Sequence, residues 1–151
     1  ANRRFTLAEV LEAEKILEHF TGQWQSHGAP VNGFATVMFG QFVLLMADES
    51  VTAVGGCSTD SSVREIKDME KRFSLSLFDR QLLAFAVKDN IQLLPLSQLK
   101  YAVENGFITA STLYFNNTVS TKQQLEENWI IPVSESWLSG KINFNAVAPQ
   151  H

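Results

Sequence analysis

The stretch FATVMFGQFVLLMA, Phe34–Ala47, decides the fold. Phe34 to Phe39 and Phe42 to Ala47 are two runs of aromatic and aliphatic residues on either side of Gly40-Gln41. Branched and aromatic side chains suit a pleated backbone, and a short Gly-containing gap between two such runs signals a β-hairpin. The reading is an antiparallel pair turned at Gly40-Gln41. The second run is apolar throughout, which predicts a central strand covered on both faces. A second pair follows the same pattern: Leu82 to Val87 and Ile91 to Leu94 flank the turn residues Lys88-Asp89-Asn90. Thr112 to Phe115 reads as a further strand. Parallel strands need long crossovers, so strands joined by tight turns argue against a doubly wound sheet.

Helical patterns fill the intervals. Thr6 can cap a first helix while Glu9, three residues on, reaches back to its amide, with Phe5 and Val10 placed to close a hydrophobic staple. Leu7, Val10, Ala13, Leu17, Phe20 and Trp24 then recur every three or four residues as one apolar stripe. Ser26 to Gly33 reads as a loop, as does Asp48 to Cys57. The second helix starts between Ser58 and Ser62; Ser62 with Glu65 fits a capping box, and Thr59 and Asp60 are competing caps. Val63, Ile66, Met69 and Phe73 form its buried stripe, and Arg64–Asp68 and Asp68–Arg72 are spaced to pair on the wet face. Ser97 opens a short helix that runs to about Glu104 and is closed by Asn105-Gly106. Thr121 to about Asn128 is a fourth helix, and residues from Asn143 form an irregular tail. The expectation is an α+β fold, a single-domain sandwich over 1–151 in which a mostly antiparallel sheet packs with helices.

Composition limits function. The chain has 151 residues, 45% of them hydrophobic, which suffices for one packed core. Its net charge is −4, and Lys and Arg are scattered in pairs such as Arg3-Arg4 and Lys71-Arg72. A groove that tracks phosphates needs clustered basic residues, so nucleic acid is not an expected partner. No apolar run approaches the ~20 residues that span a bilayer, so no membrane association is expected. A lone cysteine excludes an internal disulfide and suits a cytoplasmic setting. The chain begins at Ala1 with no basic-then-apolar leader pattern.

That cysteine sits in VGGCSTDSS, Val54–Ser62. Helix N-termini stabilise thiolates through free amides and the dipole, whereas a nearby carboxylate such as Asp60 raises a thiol's pKa. His27, in the loop after the first helix, is the candidate base for a Cys57–His27 pair. The plainer reading makes Cys57 a small packed residue and His27 a surface histidine. Gly55 to Ser62 also supplies amides and hydroxyls that can hold an anion, though ordinary helix capping explains the same serines. With three dispersed histidines and one cysteine, metal-ligand spacing is absent, and no metal or cofactor is expected. Phe42–Glu49 imitates a Walker B strand and Leu138-Ser139-Gly140-Lys141 the start of a transporter ATPase signature. A Walker A loop is missing, so the phosphates of a nucleotide have no cradle and P-loop ATP hydrolysis is excluded. Trp137 is a candidate contact residue for a protein partner.

Trp24-x-x-His27-Gly28, the strand ending Asp48-Glu49, Gly56-Cys57-Ser58-x-Asp60-Ser61-Ser62-Val63 and Leu77-Phe78-Asp79-Arg80 together resemble a small group of uncharacterised bacterial proteins of similar size. Some of these are labelled ABC transporter ATPases. The resemblance implies no particular activity, cofactor or catalytic residue, but draws attention to Trp24, His27, Cys57, Asp60, Ser61 and Ser62. Two functional expectations follow. The first is a binding or interaction domain whose pocket lies at the start of the second helix. There Asp60, Ser61 and Ser62 meet a small polar or anionic ligand and Trp24 forms an apolar wall. The second is a thiol-dependent enzyme, performing acyl transfer or peroxide reduction with Cys57 as nucleophile and His27 as base.

Overall fold

The computed structural model describes the backbone of residues 1–26, 28–49 and 56–142, and their side chains except those of 26 and 56–58. The fold is α+β with antiparallel sheets. The chain divides into two compact units, Ala1–Asp79 and Arg80–His151.

The first unit holds helix α1 (Leu7–Gln23), the two-residue strands β1 (Gln25–Ser26) and β2 (Ala29–Pro30), the hairpin β3 (Asn32–Met38) and β4 (Phe42–Asp48), and helix α2 (Gly56–Phe73). The start of α1 follows its sequence signal: Thr6 accepts from the Glu9 amide and Glu9 accepts from the Thr6 amide. Arg3 clamps the same carboxylate through both terminal nitrogens, each at 2.9 Å, and also donates to the Phe73 carbonyl at the end of α2. Phe5 and Phe73 meet edge to face beside this clamp. The unit's core is Phe5, Ala13, Leu17, Met69, Phe73 and Leu75, with Ala35, Val37 and Val43 of the hairpin packed against it. Leu7, read as part of the apolar stripe, is 77% exposed. It precedes the first full turn over the sheet, and Phe5 fills the core in its place.

The hairpin is antiparallel, as its sequence predicts, with Val37 opposite Val43 and Ala35 opposite Leu45. Its turn lies one residue earlier than Gly40-Gln41. Phe39 and Gly40 both take positive φ, 55° and 64°, and the Gln41 amide donates back to the Met38 carbonyl. Two successive left-handed residues give the turn the twist that a hairpin requires, and Gly40 bears this without cost. The expectation that Phe42–Ala47 is a central strand is corrected. Among the described residues β4 pairs only with β3, in a sheet of two strands. Its apolar outer residues Leu44 and Met46 are partly exposed rather than buried between layers. The free edge of β3 is sealed by α1: Glu14 Oε1 accepts from the Val37 amide and the Thr36 hydroxyl, both at 2.7 Å.

The second unit has a four-stranded antiparallel sheet in the order β6-β5-β7-β8: β5 (Leu82–Val87), β6 (Asn90–Pro95), β7 (Leu113–Phe115) and β8 (Ile130–Pro132). Lys88 and Asp89, both at positive φ, form the predicted tight turn. Helix α3 (Leu99–Glu104) follows a 3-10 turn, Leu96–Gln98, and no side chain caps either start, so the cap expected from Ser97 is absent. α3 ends as its sequence indicates. Gly106, at φ 74°, donates to the Val103 carbonyl and Phe107 donates to Ala102, the paired bonds of a Schellman motif. Helix α4 (Lys122–Asn128) is capped by Thr121. One sheet face, with Leu83, Phe85 and Tyr114, packs with Leu99, Ala102, Val103, Ile108, Val133 and Leu138.

Candidate functional site

α1 and α2 lie against each other in the first unit and leave a groove of about 370 Å³, lined by Glu12, Ile16, Glu65, Asp68, Met69 and Arg72. Helical spacing explains the set. Glu12 and Ile16 are one turn apart on α1, and 65, 68, 69 and 72 share a face of α2. Met69, 1% exposed, belongs to the core, so the groove is floored by the outer surface of packed apolar side chains. Its rim is ionic. Arg72 donates through Nε to Glu12 Oε1 at 2.6 Å, with a second contact from the same guanidinium. This corrects the expected Asp68–Arg72 pair: a carboxylate on the neighbouring helix takes the guanidinium instead.

Glu65 and Asp68 stand one turn apart on α2, and Glu65 bears the consequence. Partial burial raises its carboxyl above the ordinary carboxylate value, the Asp68 charge raises it further, and His19 of α1 opposes both. A carboxylate pushed toward protonation beside a second carboxylate is a place where added positive charge is favoured.

Among the described residues, those singled out by sequence do not line this groove. Trp24 caps the C-terminus of α1 and is 6% exposed, its ring 5.3 Å from that of Phe20. It packs so closely on Gly33 that a β-carbon there would stand 2.7 Å from the indole. α2 begins at Gly56, earlier than the Ser58–Ser62 window, so Cys57 is the second helical residue and lies inside the helix rather than ahead of it. Asp60, exposed, and Ser61 and Ser62, half-buried, lie within the helix beyond its first turn. Ser62 donates its hydroxyl to the Thr59 carbonyl at 2.7 Å, which replaces the predicted Ser62–Glu65 capping box. The Cys57 side chain and all of His27 lie outside the described residues. Trp137, in a 3-10 turn, is 40% exposed and donates to the Tyr114 hydroxyl at 3.2 Å.

Among the described residues no cluster of His, Cys, Asp and Glu is arranged to hold a metal ion, and no helix is long and apolar enough to cross a membrane. No known protein family, curated protein or solved structure matches the chain.

Sequence reasoning passed over the groove because each residue had a local explanation. Met69 read as core, Glu65 as cap, and Asp68 and Arg72 as a solvent-exposed pair. The available signal was the recurrence of 65, 68 and 72 beside the buried stripe on α2. It becomes a site only when Glu12 and Ile16 arrive from α1.

Proposed function

We propose that this chain is a binding domain whose α1–α2 groove takes a small ligand with a cationic amine head and an apolar body. The observation that carries the reading is the Glu65 carboxyl, raised by burial and by Asp68, at the edge of a floor made by Ile16 and Met69. A cationic head set between Glu65 and Asp68 relieves their repulsion, and an alkyl body covers the floor. The volume lies in the lower part of the range for small-molecule sites. The site stands on α1 and α2, whereas the pocket expected from sequence joins the loop after the first helix to the 55–62 loop and helix start. It lies further along α2 than Ser61 and Ser62, and its acidic rim selects for a cation over an anion. The cytoplasm is the setting we propose, in keeping with a lone cysteine.

Calorimetric titration with hexylamine, hexanol and hexanoate tests the reading. Seven non-hydrogen atoms at about 0.6 kcal/mol each give about 4 kcal/mol, a dissociation constant of about 1 mM. Hexylamine is expected to bind at that level, hexanol more weakly and hexanoate undetectably. Equal binding of all three, or loss of none of it in Glu65→Gln with Asp68→Asn, contradicts the proposal.

A second reading, a thiol-dependent enzyme using Cys57 with His27, draws support from the start of α2. As second residue of an 18-residue helix, Cys57 stands in its first turn, at the positive end of the helix dipole. Iodoacetamide alkylation of the folded protein is expected to inflect below the free-thiol value of about 8.5. A thiol that labels only on unfolding removes this reading.

A further inference from the structure

We infer that the outer edge of β4 is an assembly edge, on which a second copy of this chain adds its own β4 in antiparallel register about Leu45. The two edges of the hairpin are treated differently. On β3 the Val37 amide points away from β4, since it donates to Glu14 of α1. Val37 is opposite Val43, so this is a pair whose amides face outward on both strands. By the two-residue period of a strand, Val43, Leu45 and Ala47 present their amides and carbonyls on the far side of β4. Among the described residues no strand pairs there, and no backbone bond from a turn or loop reaches those amides. The strand carries none of the usual protections of an open edge: Phe42 to Ala47 contains no charge, no Pro and no Gly.

An edge of backbone donors and acceptors asks for an extended strand, and the spacing of this one makes it complementary to itself. With the two-fold axis at Leu45, Leu45 faces Leu45 of the second copy, and Val43 faces Ala47. The outward amides then all pair reciprocally. Across the same axis Leu44 faces Met46, an apolar pair, and Asp48 faces Phe42, so no two like charges are opposed. The product is a continuous four-stranded antiparallel sheet with closed two-fold symmetry, which leaves no second copy of this edge to propagate a fibre.

The test combines sedimentation, amide exchange and cross-linking on the full chain. The protein is expected to sediment as a concentration-dependent dimer, with slow exchange at Val43, Leu45 and Ala47 that quickens on dilution. Ala47→Pro removes one outward amide at a position that makes no hydrogen bond to β3, and is expected to yield a folded monomer. Leu45→Cys in a Cys57→Ser background bypasses any folding defect of the proline variant. A pair directly opposite across the axis has a Cα separation of about 5.5 Å, within disulfide reach, so oxidation is expected to give a covalent dimer. Ala47→Cys in the same background serves as control, because its symmetry mate lies about 14 Å along the strand. A chain that stays monomeric at every concentration overturns the inference. So does a dimer in which Ala47→Cys cross-links as readily as Leu45→Cys.

Discussion

Replacing Gly33 by alanine tests the packing that holds the end of α1 against the hairpin. A β-carbon at position 33 would stand 2.7 Å from Trp24 Cε3 and 3.0 Å from Cζ3, with the Met46 carbonyl oxygen at 3.4 Å. Carbon atoms in favourable contact sit about 3.5–4.0 Å apart, so the indole must retreat by about 0.8 Å. It has little room to do so, being 6% exposed and tilted against the Phe20 ring. Forcing an added carbon into a packed core costs about 1–3 kcal/mol. The loss of glycine's freedom in the unfolded chain returns about 0.4–1 kcal/mol. Gly33→Ala is therefore expected to lower stability by about 1–2 kcal/mol. Urea unfolding followed by circular dichroism measures this, with an unchanged slope and a lower midpoint. In a Trp24→Leu background the same substitution is expected to cost much less, because the clashing ring atoms are gone. A Gly33→Ala protein as stable as the parent, or an equal cost in both backgrounds, would refute the reasoning.

Four further substitutions probe the frame around the groove. Thr6→Ala removes the cap of α1 and is expected to cost about 1 kcal/mol in urea unfolding. Glu14→Ala strips the acceptor from the Val37 amide and Thr36 hydroxyl, with an expected loss of about 1–3 kcal/mol and faster exchange of the Val37 amide. The Glu9 carboxyl is held down to about 2, first by its bond from Arg3 and then by the Thr6 amide. Its folded value lies below its unfolded value of 4.5, so its contribution is full above pH 4.5 and lost as pH falls toward about 2. Glu9→Gln should flatten that part of the stability profile. Glu65 behaves oppositely: its folded carboxyl is raised above 4.5, so ionising it opposes folding. Glu65→Gln is expected to be the more stable protein at pH 7, with the difference vanishing as pH drops below 4.5, as thermal unfolding across pH would show.

Much of the architecture was legible where local rules decide it. The Thr6–Glu9 box and the Asn105-Gly106 stop both form as the residues dictate, because each involves atoms within a few residues of one another. The errors arise where tertiary context decides. The apolar run Phe42–Ala47 cannot distinguish burial on two faces from an edge strand with apolar side chains, since both give the same pattern. Gly56 opens α2 although Gly-Cys-Ser-Thr-Asp-Ser-Ser is poor in helix formers, because the apolar face through Met69 and Phe73 anchors the helix from its far end. The groove was the least legible feature. Nothing local tells Arg72 to choose Glu12, sixty residues away, over Asp68 on its own helix.

The most direct measurement is a titration of protein carrying 13C-methyl methionine with hexylamine at pH 7, followed by NMR. The chain has three methionines, Met38, Met46 and Met69, and only Met69 lines the groove. The account predicts a saturable shift of the Met69 methyl resonance, absent with hexanoate and abolished in Glu65→Gln with Asp68→Asn, while Met38 and Met46 stay in place. A Met69 signal that ignores hexylamine, or moves equally with hexanoate, would contradict it.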